Sequence, residues 1–300
     1  MSPTIADGLA RGIAALAALP SPRSDVEELM SRMLGTGLAE LRLAPTRALR
    51  EAEWRQLEEW LARRAEGEPV QYITGRAAFR HLDLAVTPAV LIPRPETEGL
   101  VEAVLETLQS EAARWRRPRV VDLGTGSGAI ALAVASEFPG AVVTATDASR
   151  AALEVAESNA RDAGLADGVR FLHGEWFGSL APDERFEVVI SNPPYIAEHE
   201  WSSLPVDVRR EPRAALISGE DGLDATRQIL EDAPRHLVAA GLLALELDEA
   251  RAEEVEAWLD GAHEWESVEL RDDLAGRPRV LLARRARGPA IAPLQWPEEG

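Results

Sequence analysis

Ser191-Asn192-Pro193-Pro194-Tyr195-Ile196 follows directly on the apolar run Phe186-Glu187-Val188-Val189-Ile190, and that junction leaves the backbone few options. The run is short and rich in β-branched residues, so it reads as a buried strand. Two successive prolines forbid its continuation, and Pro193 also holds Asn192 out of the helical region. The result is a stiff loop at a strand end. Neither proline carries an N–H, so the backbone there offers carbonyl acceptors without competing donors. Asn192 adds a side-chain carbonyl and Tyr195 a flat face. Two acceptors beside a flat face suit a planar, conjugated NH2 group carrying two donors. Adenine, cytosine and a glutamine side-chain amide all present such a group.

Upstream, Arg119 to Leu123 predicts a short strand leading into Gly124-Thr125-Gly126-Ser127-Gly128, with a helix from Ala129 to Phe138. A strand–glycine loop–helix unit brings a ligand against the backbone at a helix N-terminus. The spacing is G-x-G-x-G rather than the dinucleotide fingerprint G-x-G-x-x-G. A second strand, Val142 to Thr146, ends in Asp147, about 20 residues after the loop, where an acid can hold ribose hydroxyls. A ribose-bearing cofactor is therefore expected. The next helix runs from Ser149 to a stop at Gly164. A third strand, Val169 to Leu172, precedes Glu175-Trp176-Phe177, which puts Trp176 at the ligand-bearing edge as a neighbour for adenine. In a doubly wound sheet the strand order reverses between the first and fourth strands, and ligands bind in that crevice. The glycine loop and the Asn192 loop then face each other across one cleft.

The remaining segments frame this unit. Residues 1 to about 66 read as helical, with Trp54, Leu57 and Leu61 on one face and Glu51, Arg55, Glu58 and Glu59 opposite. Ser24, ahead of Glu27 and Glu28, predicts the start of the second helix. From Val70 to Val90 the pattern alternates as in a half-exposed hairpin. Ile92-Pro93-Arg94-Pro95-Glu96-Thr97-Glu98 is a second proline-stiffened loop, read as a positioned active-site edge. Downstream, a helix from Asp221 to Leu237 contains Pro234, and a fifth strand spans Gly241 to Leu247. An acidic helix from Glu249 to Leu259 follows, and two closing strands cover Glu264 to Leu270 and Arg279 to Ala283. The expected domains are a helical substrate-docking domain at 1–69, a hairpin linker at 70–92, an α/β domain at 93–285 and a loose tail at 286–300.

Composition removes several chemistries. There is no cysteine and no lysine, so all 32 basic residues are arginine. That excludes disulfides, cysteine nucleophiles, Schiff bases and a Walker-type lysine. The five histidines show no metal-ligand spacing, and no metal is expected. A net charge of −19 argues against a phosphate-backbone partner. No long apolar run or signal peptide is recognisable, so a cytoplasmic protein without membrane contact is expected.

Taken together, the chain resembles the peptide chain release factor N5-glutamine methyltransferases over nearly its whole length. The resemblance rests on Gln71 to Gly75, Leu91 to Glu98, Asp122 to Leu132, Ser191 to Ile196, Glu211 to Leu216 and Gly219 to Asp224. It implies a seven-stranded Rossmann-like methyltransferase domain behind a small helical N-terminal domain. It also implies S-adenosyl-L-methionine as donor, with the glutamine of the release factors' Gly-Gly-Gln loop as acceptor. Carried over by position, Gly124, Thr125, Gly126, Ser127 and Gly128 cradle the methionine part, Asp147 holds the ribose and Trp176 lies by the adenine. Asn192, Pro193, Pro194 and Tyr195 hold the glutamine, with Asn192, Pro193 and Tyr195 as the catalytic set and Asn192 also at the donor. Two positions depart from the family pattern. Glu175 stands where the family has Asp, and Glu246 leads into Leu247-Asp248-Glu249-Ala250 rather than a nearby Gly and Gln. A monomer acting on release factors, with no stable nucleic-acid binding, is expected. A ribosomal-protein glutamine methyltransferase ranks second, and a nucleic-acid adenine-N6 methyltransferase third.

Overall fold

A computed structural model describes residues 2–288. The chain divides into two compact units, Met1–Arg76 with Leu204–Arg210, and Ala77–Ser203 with Glu211–Gly300. The part of the expected tail from residue 289 on lies outside the described residues.

The first unit is helical: α1 (Ile5–Ala15), α2 (Pro22–Leu34), α3 (Leu38–Leu43), α4 (Glu51–Ala65) and α5 (Val70–Thr74). Ile5, Val26, Leu29, Met30, Leu57 and Leu61 meet in one core. α1 opens on a capping box in which Thr4 and Asp7 each satisfy the other's backbone N–H. α2 begins at Pro22, ahead of the expected Ser24, because proline fits the first helical turn without sacrificing a hydrogen bond. Val70–Thr74 is a helical turn rather than part of a hairpin. Pro69 opens it, and Gly75 closes it in the left-handed region at φ 72°. The excursion 204–210 is held by charge: Arg64 Nε donates to Asp25 at 2.7 Å and its Nη2 to Asp207 at 3.2 Å. Arg210 adds a bond to the Glu66 carbonyl.

The second unit starts from the main part of a two-stranded sheet, β1 (Arg76–Phe79) and β2 (Leu82–Ala85). It continues through α6 (Pro95–Ser110), β3 (Arg119–Leu123), α7 (Ala129–Glu137), β4 (Val142–Asp147), α8 (Arg150–Asp162) and β5 (Val169–His173). β6 (Phe186–Ser191), α9 (Asp224–His236), β7 (Leu237–Glu246), α10 (Ala252–Leu259), β8 (Trp265–Asp272) and β9 (Pro278–Arg285) complete it. The seven-stranded sheet has the order β5-β4-β3-β6-β7-β9-β8. Strands β3 to β7 pair in parallel, and β9 runs antiparallel to both its neighbours.

Both faces of the sheet are covered, which is why its central strands read as continuous apolar runs. Val120, Val188, Ile190, Leu242 and Ala244 face α6 and α7. Val121, Val189, Leu243 and Leu245 face α9 and α10. α7 is apolar all round and buried over seven successive residues, so it sits inside the layer rather than on it. β7 begins at Leu237, earlier than the expected Gly241. The pairing slips between Phe186 and Val188 to admit extra residues, with Ala240 in the left-handed region at φ 57°. Pro234 lies in the last turn of α9.

Candidate active site

The chain leaves β3 outward to β4 and β5, then returns to lay β6 on the other side of β3, so the strand order reverses there. The carboxyl ends of β3, β4 and β6 open on one cavity of about 390 Å³. Gly124 and Gly126 line it from β3, Asp147 from β4, Trp176 from beyond β5, and Asn192 and Pro194 from β6. Ala89 to Leu91 and Pro212 to Ala215 supply part of its wall.

The glycine loop is pinned from behind. Gly124 N and Thr125 N both donate to the Thr146 carbonyl at 2.9 Å. Thr125 Oγ1 donates to Asp122 Oδ2 at 2.6 Å, and the same oxygen accepts from Ala131 N at 3.2 Å. Asp122 thus ties the loop to the first turn of α7. Burial pushes its carboxyl up to about 7. Asp122 Oδ1 is buried without a partner among the described residues, an acceptor at the root of the loop. Gly126 N donates to Asp147 Oδ2 at 2.8 Å, while Asp147 Oδ1 accepts from Ser149 N at 2.8 Å. A carboxylate offers about four lone-pair sites, so each Asp147 oxygen keeps acceptor capacity beyond these bonds.

Gly126 has φ 56°, and a Cβ built on it would meet nothing within 4 Å. Gly124 has φ 72°, and its Cβ would touch the Trp176 ring at 3.4 Å. The loop therefore shows bare backbone to the cavity with an indole beside it. Trp176 is itself held in the left-handed region at φ 44°, where its carbonyl accepts from Thr146 and its Nε1 donates to Gln228 Oε1 at 2.7 Å. A bare-backbone cradle, an acid with spare acceptor capacity and an indole suit the methionine, ribose and adenine parts of S-adenosylmethionine. The cavity is also of small-ligand size. The remaining loop residues sit differently: Thr125 and Ser127 are buried, and Gly128 packs on Ala156 of α8, where a Cβ would lie at 3.2 Å.

On the opposite wall, Asn192 Nδ2 donates to Thr97 Oγ1 at 2.9 Å. The amide nitrogen is committed to α6, so Oδ1 is the end turned away from that bond. Pro193 and Tyr195 sit beside the cavity rather than in its lining. Burial, with the nearby Glu246 charge, pushes the Tyr195 phenol up to about 12. At neutral pH it is a neutral ring and hydroxyl, not a base.

The segments around this loop acquire a physical meaning. The Ile196 N–H bonds the Leu216 carbonyl, and Ser218 N bonds Ile196 in return, lacing 211–224 behind the Asn192 loop. At Gly222, φ is 86° and a Cβ would lie 2.4 Å from the Tyr195 carbonyl oxygen, so only glycine allows that approach. Glu211, buried, accepts from Ile92 N at 2.9 Å and from Arg94, locking the second proline loop into the cavity wall. Glu98 turns away to accept from Arg80 N. Asn159 of α8 donates to both the Ala85 and Ser127 carbonyls and accepts from Ala85 N, joining β2 to the glycine loop. Thr97, Glu211, Asn159 and Glu246 have no assigned role in the sequence reading. Thr97 and Glu211 lie within the motifs that carry the resemblance, whereas no motif in the sequence marks Asn159.

A seven-stranded doubly wound sheet carrying a glycine cradle on its first strand and an Asn-Pro-Pro-Tyr loop on its fourth defines an S-adenosylmethionine-dependent methyltransferase. Residues 7–75 match the PrmC N-terminal domain and residues 100–207 the methyltransferase small domain. The chain is 43% identical over 260 residues to a release factor glutamine methyltransferase of Gloeobacter violaceus, covering 86% of this chain and 89% of that one. It is 46% identical to that of Bordetella pertussis, over 86% of this chain and 93% of the relative. Among solved structures, the hMettl16 catalytic domain in complex with the MAT2A 3'UTR hairpin 6 shares the fold, with a TM-score of 0.55 at 14% identity, over 81% of this chain and 84% of that one. The chain belongs to the release factor glutamine methyltransferases. Among its described residues no helix is long and apolar enough to cross a membrane.

Proposed function

We propose that this chain methylates the side-chain amide of the glutamine in the release factors' Gly-Gly-Gln loop, with Asn192 Oδ1 and the Pro193 carbonyl taking the two amide N–H groups. The observation that carries this reading is the single cavity shared by the glycine loop and the Asn192 loop. Gly124, Gly126, Asp147 and Trp176 would hold the donor. When bound, S-adenosylmethionine supplies a methyl on a sulfonium, whose C–S electron pair stays with sulfur as the methyl passes to nitrogen.

The chain's own residues make the amide reactive. An amide nitrogen is a poor nucleophile because its lone pair is delocalised into the carbonyl. Accepting both N–H groups fixes the nitrogen and turns its lone pair toward the cradle. Positive charge developing on nitrogen then meets the two carbonyl dipoles of Asn192 and Pro193. The methylated nitrogen is strongly acidic and gives one proton to water, so no side-chain base is required. The neutral phenol of Tyr195 fits that requirement, serving as a face against the amide plane.

The helical domain at 1–69 docks the folded release factor, and 70–92 links it to the catalytic domain at 93–285. The enzyme works as a monomer in the cytoplasm without stable nucleic-acid binding, a reading its −19 charge supports. A whole release factor should therefore be methylated with a kcat/KM about tenfold or more above that of a short glutamine peptide, equivalent to about 1.4 kcal/mol of docking. Steady-state kinetics on both substrates check this. Equal values would remove the docking role.

A further inference from the structure

We propose that Thr97 and Glu246 are positioning residues that set which end of the Asn192 amide meets the substrate. The inference rests on the reading of Asn192 just given and extends it to two residues that reading does not use.

The geometry is a directed chain of hydrogen bonds. Asn192 Nδ2 donates to Thr97 Oγ1 at 2.9 Å, and Thr97 Oγ1 donates to Glu246 Oε2 at 2.6 Å. Thr97 is 4% exposed and Glu246 1%, so water does not substitute freely for either. A hydroxyl has one proton. While Glu246 is a carboxylate it can only accept, so the Thr97 proton is spent on it and Thr97 faces Asn192 as an acceptor. The amide must then present NH2 to Thr97 and keep Oδ1 for the substrate. An asparagine amide is otherwise nearly symmetric in shape, and its two orientations differ only through such bonds. The wrong orientation would set NH2 against the substrate's own NH2, donor against donor.

The direction of the chain depends on the charge of Glu246. Burial raises its carboxyl to about 7, opposed by the bond from Thr97. Of the charged groups facing it, Arg279 from β9 and Arg94 from the proline loop lower it, and Glu96 of α6 raises it. Tyr195 is neutral there. A protonated Glu246 can donate back to Thr97, whose own proton then turns to Asn192 and calls for the carbonyl end. Above about 7 Glu246 is charged and the amide is held correctly; below it that hold is lost. Activity should rise with pH through this point.

The full-length enzyme with a release factor as acceptor tests this. At pH 8, Thr97→Val should lower kcat/KM for the factor by about 10- to 100-fold, short of the loss on removing Asn192. Donor affinity, read by calorimetry, should stay within about twofold, which also shows that the variant is folded. Thr97→Ser, which restores the hydroxyl, should recover most of the loss. The wild-type pH profile of kcat/KM should fall below about pH 7, and Glu246→Gln, which cannot change its charge, should lose that limb. In 15N-labelled protein without substrate, the side-chain NH2 signals of Asn192 should titrate with the same midpoint, and should stand still in Glu246→Gln. Wild-type turnover in Thr97→Val, an unchanged acid limb in Glu246→Gln, or an Asn192 amide indifferent to pH would each overturn the relay. If Asn192→Ala is inactive while Thr97→Val is not impaired, only the relay fails. If Asn192→Ala is itself active, the reading beneath it fails as well.

Discussion

Gly126→Val should abolish S-adenosylmethionine binding, with affinity falling by at least about 100-fold, or about 2.8 kcal/mol, in calorimetry. The reason is spatial. Gly126 lines the cavity, and a Cβ there would meet no protein atom within 4 Å, so the valine side chain would stand in the space the donor needs. Its φ of 56° is also in the left-handed region, where a β-branched residue costs about 1–2 kcal/mol, so a modest fall in melting temperature should accompany the loss. Asp147→Ala acts differently, removing the acceptor for both Gly126 N and Ser149 N along with the proposed ribose contact. A drop of about 10- to 100-fold is expected, in line with hydrogen bonds to a charged group. Unchanged affinity in both variants would place the donor elsewhere.

Asn192→Ala should separate binding from chemistry. Turnover should fall by about 10²–10³, the usual cost of one preorganised polar contact made to developing charge. Donor affinity should change little, because the cradle is built from β3 and β4 and its loop is pinned by Thr146 and Asp122. Single-turnover methylation beside a calorimetric titration distinguishes the two. Near wild-type turnover in this variant would end the carbonyl-acceptor mechanism.

Much of this architecture is legible in the sequence because its signals are local. The glycine loop, the acid closing the next strand and the Pro-Pro loop each declare themselves within about ten residues. Other features of the fold leave no local signal. Val70–Thr74 became helical because Pro69 and Gly75 cap a single turn, which alternation alone does not reveal. β7 gained residues at its start through a slip against β6 that no periodicity encodes. The partners of Thr97 and Ile92 lie 149 and 119 residues away, at Glu246 and Glu211, and only the fold brings them together. Glu246 looked like the end of an apolar strand followed by an atypical segment. Its burial beside Thr97 is set by the fold and is not announced by its neighbours in sequence.

A pocket that accepts a planar NH2 does not by itself choose between glutamine and adenine, so the substrate is decided by transfer of label. Methyl-labelled S-adenosylmethionine is incubated with the full-length enzyme and three acceptors: release factor, the same factor with its Gly-Gly-Gln glutamine changed to Glu, and single-stranded and duplex DNA. Label should enter the wild-type factor alone, since a carboxylate offers no N–H to Asn192 and Pro193. With a −19 charge on the enzyme, DNA should take none. Methylated adenine recovered from the DNA, with the release factor unlabelled, would contradict the assignment of this site to a protein glutamine.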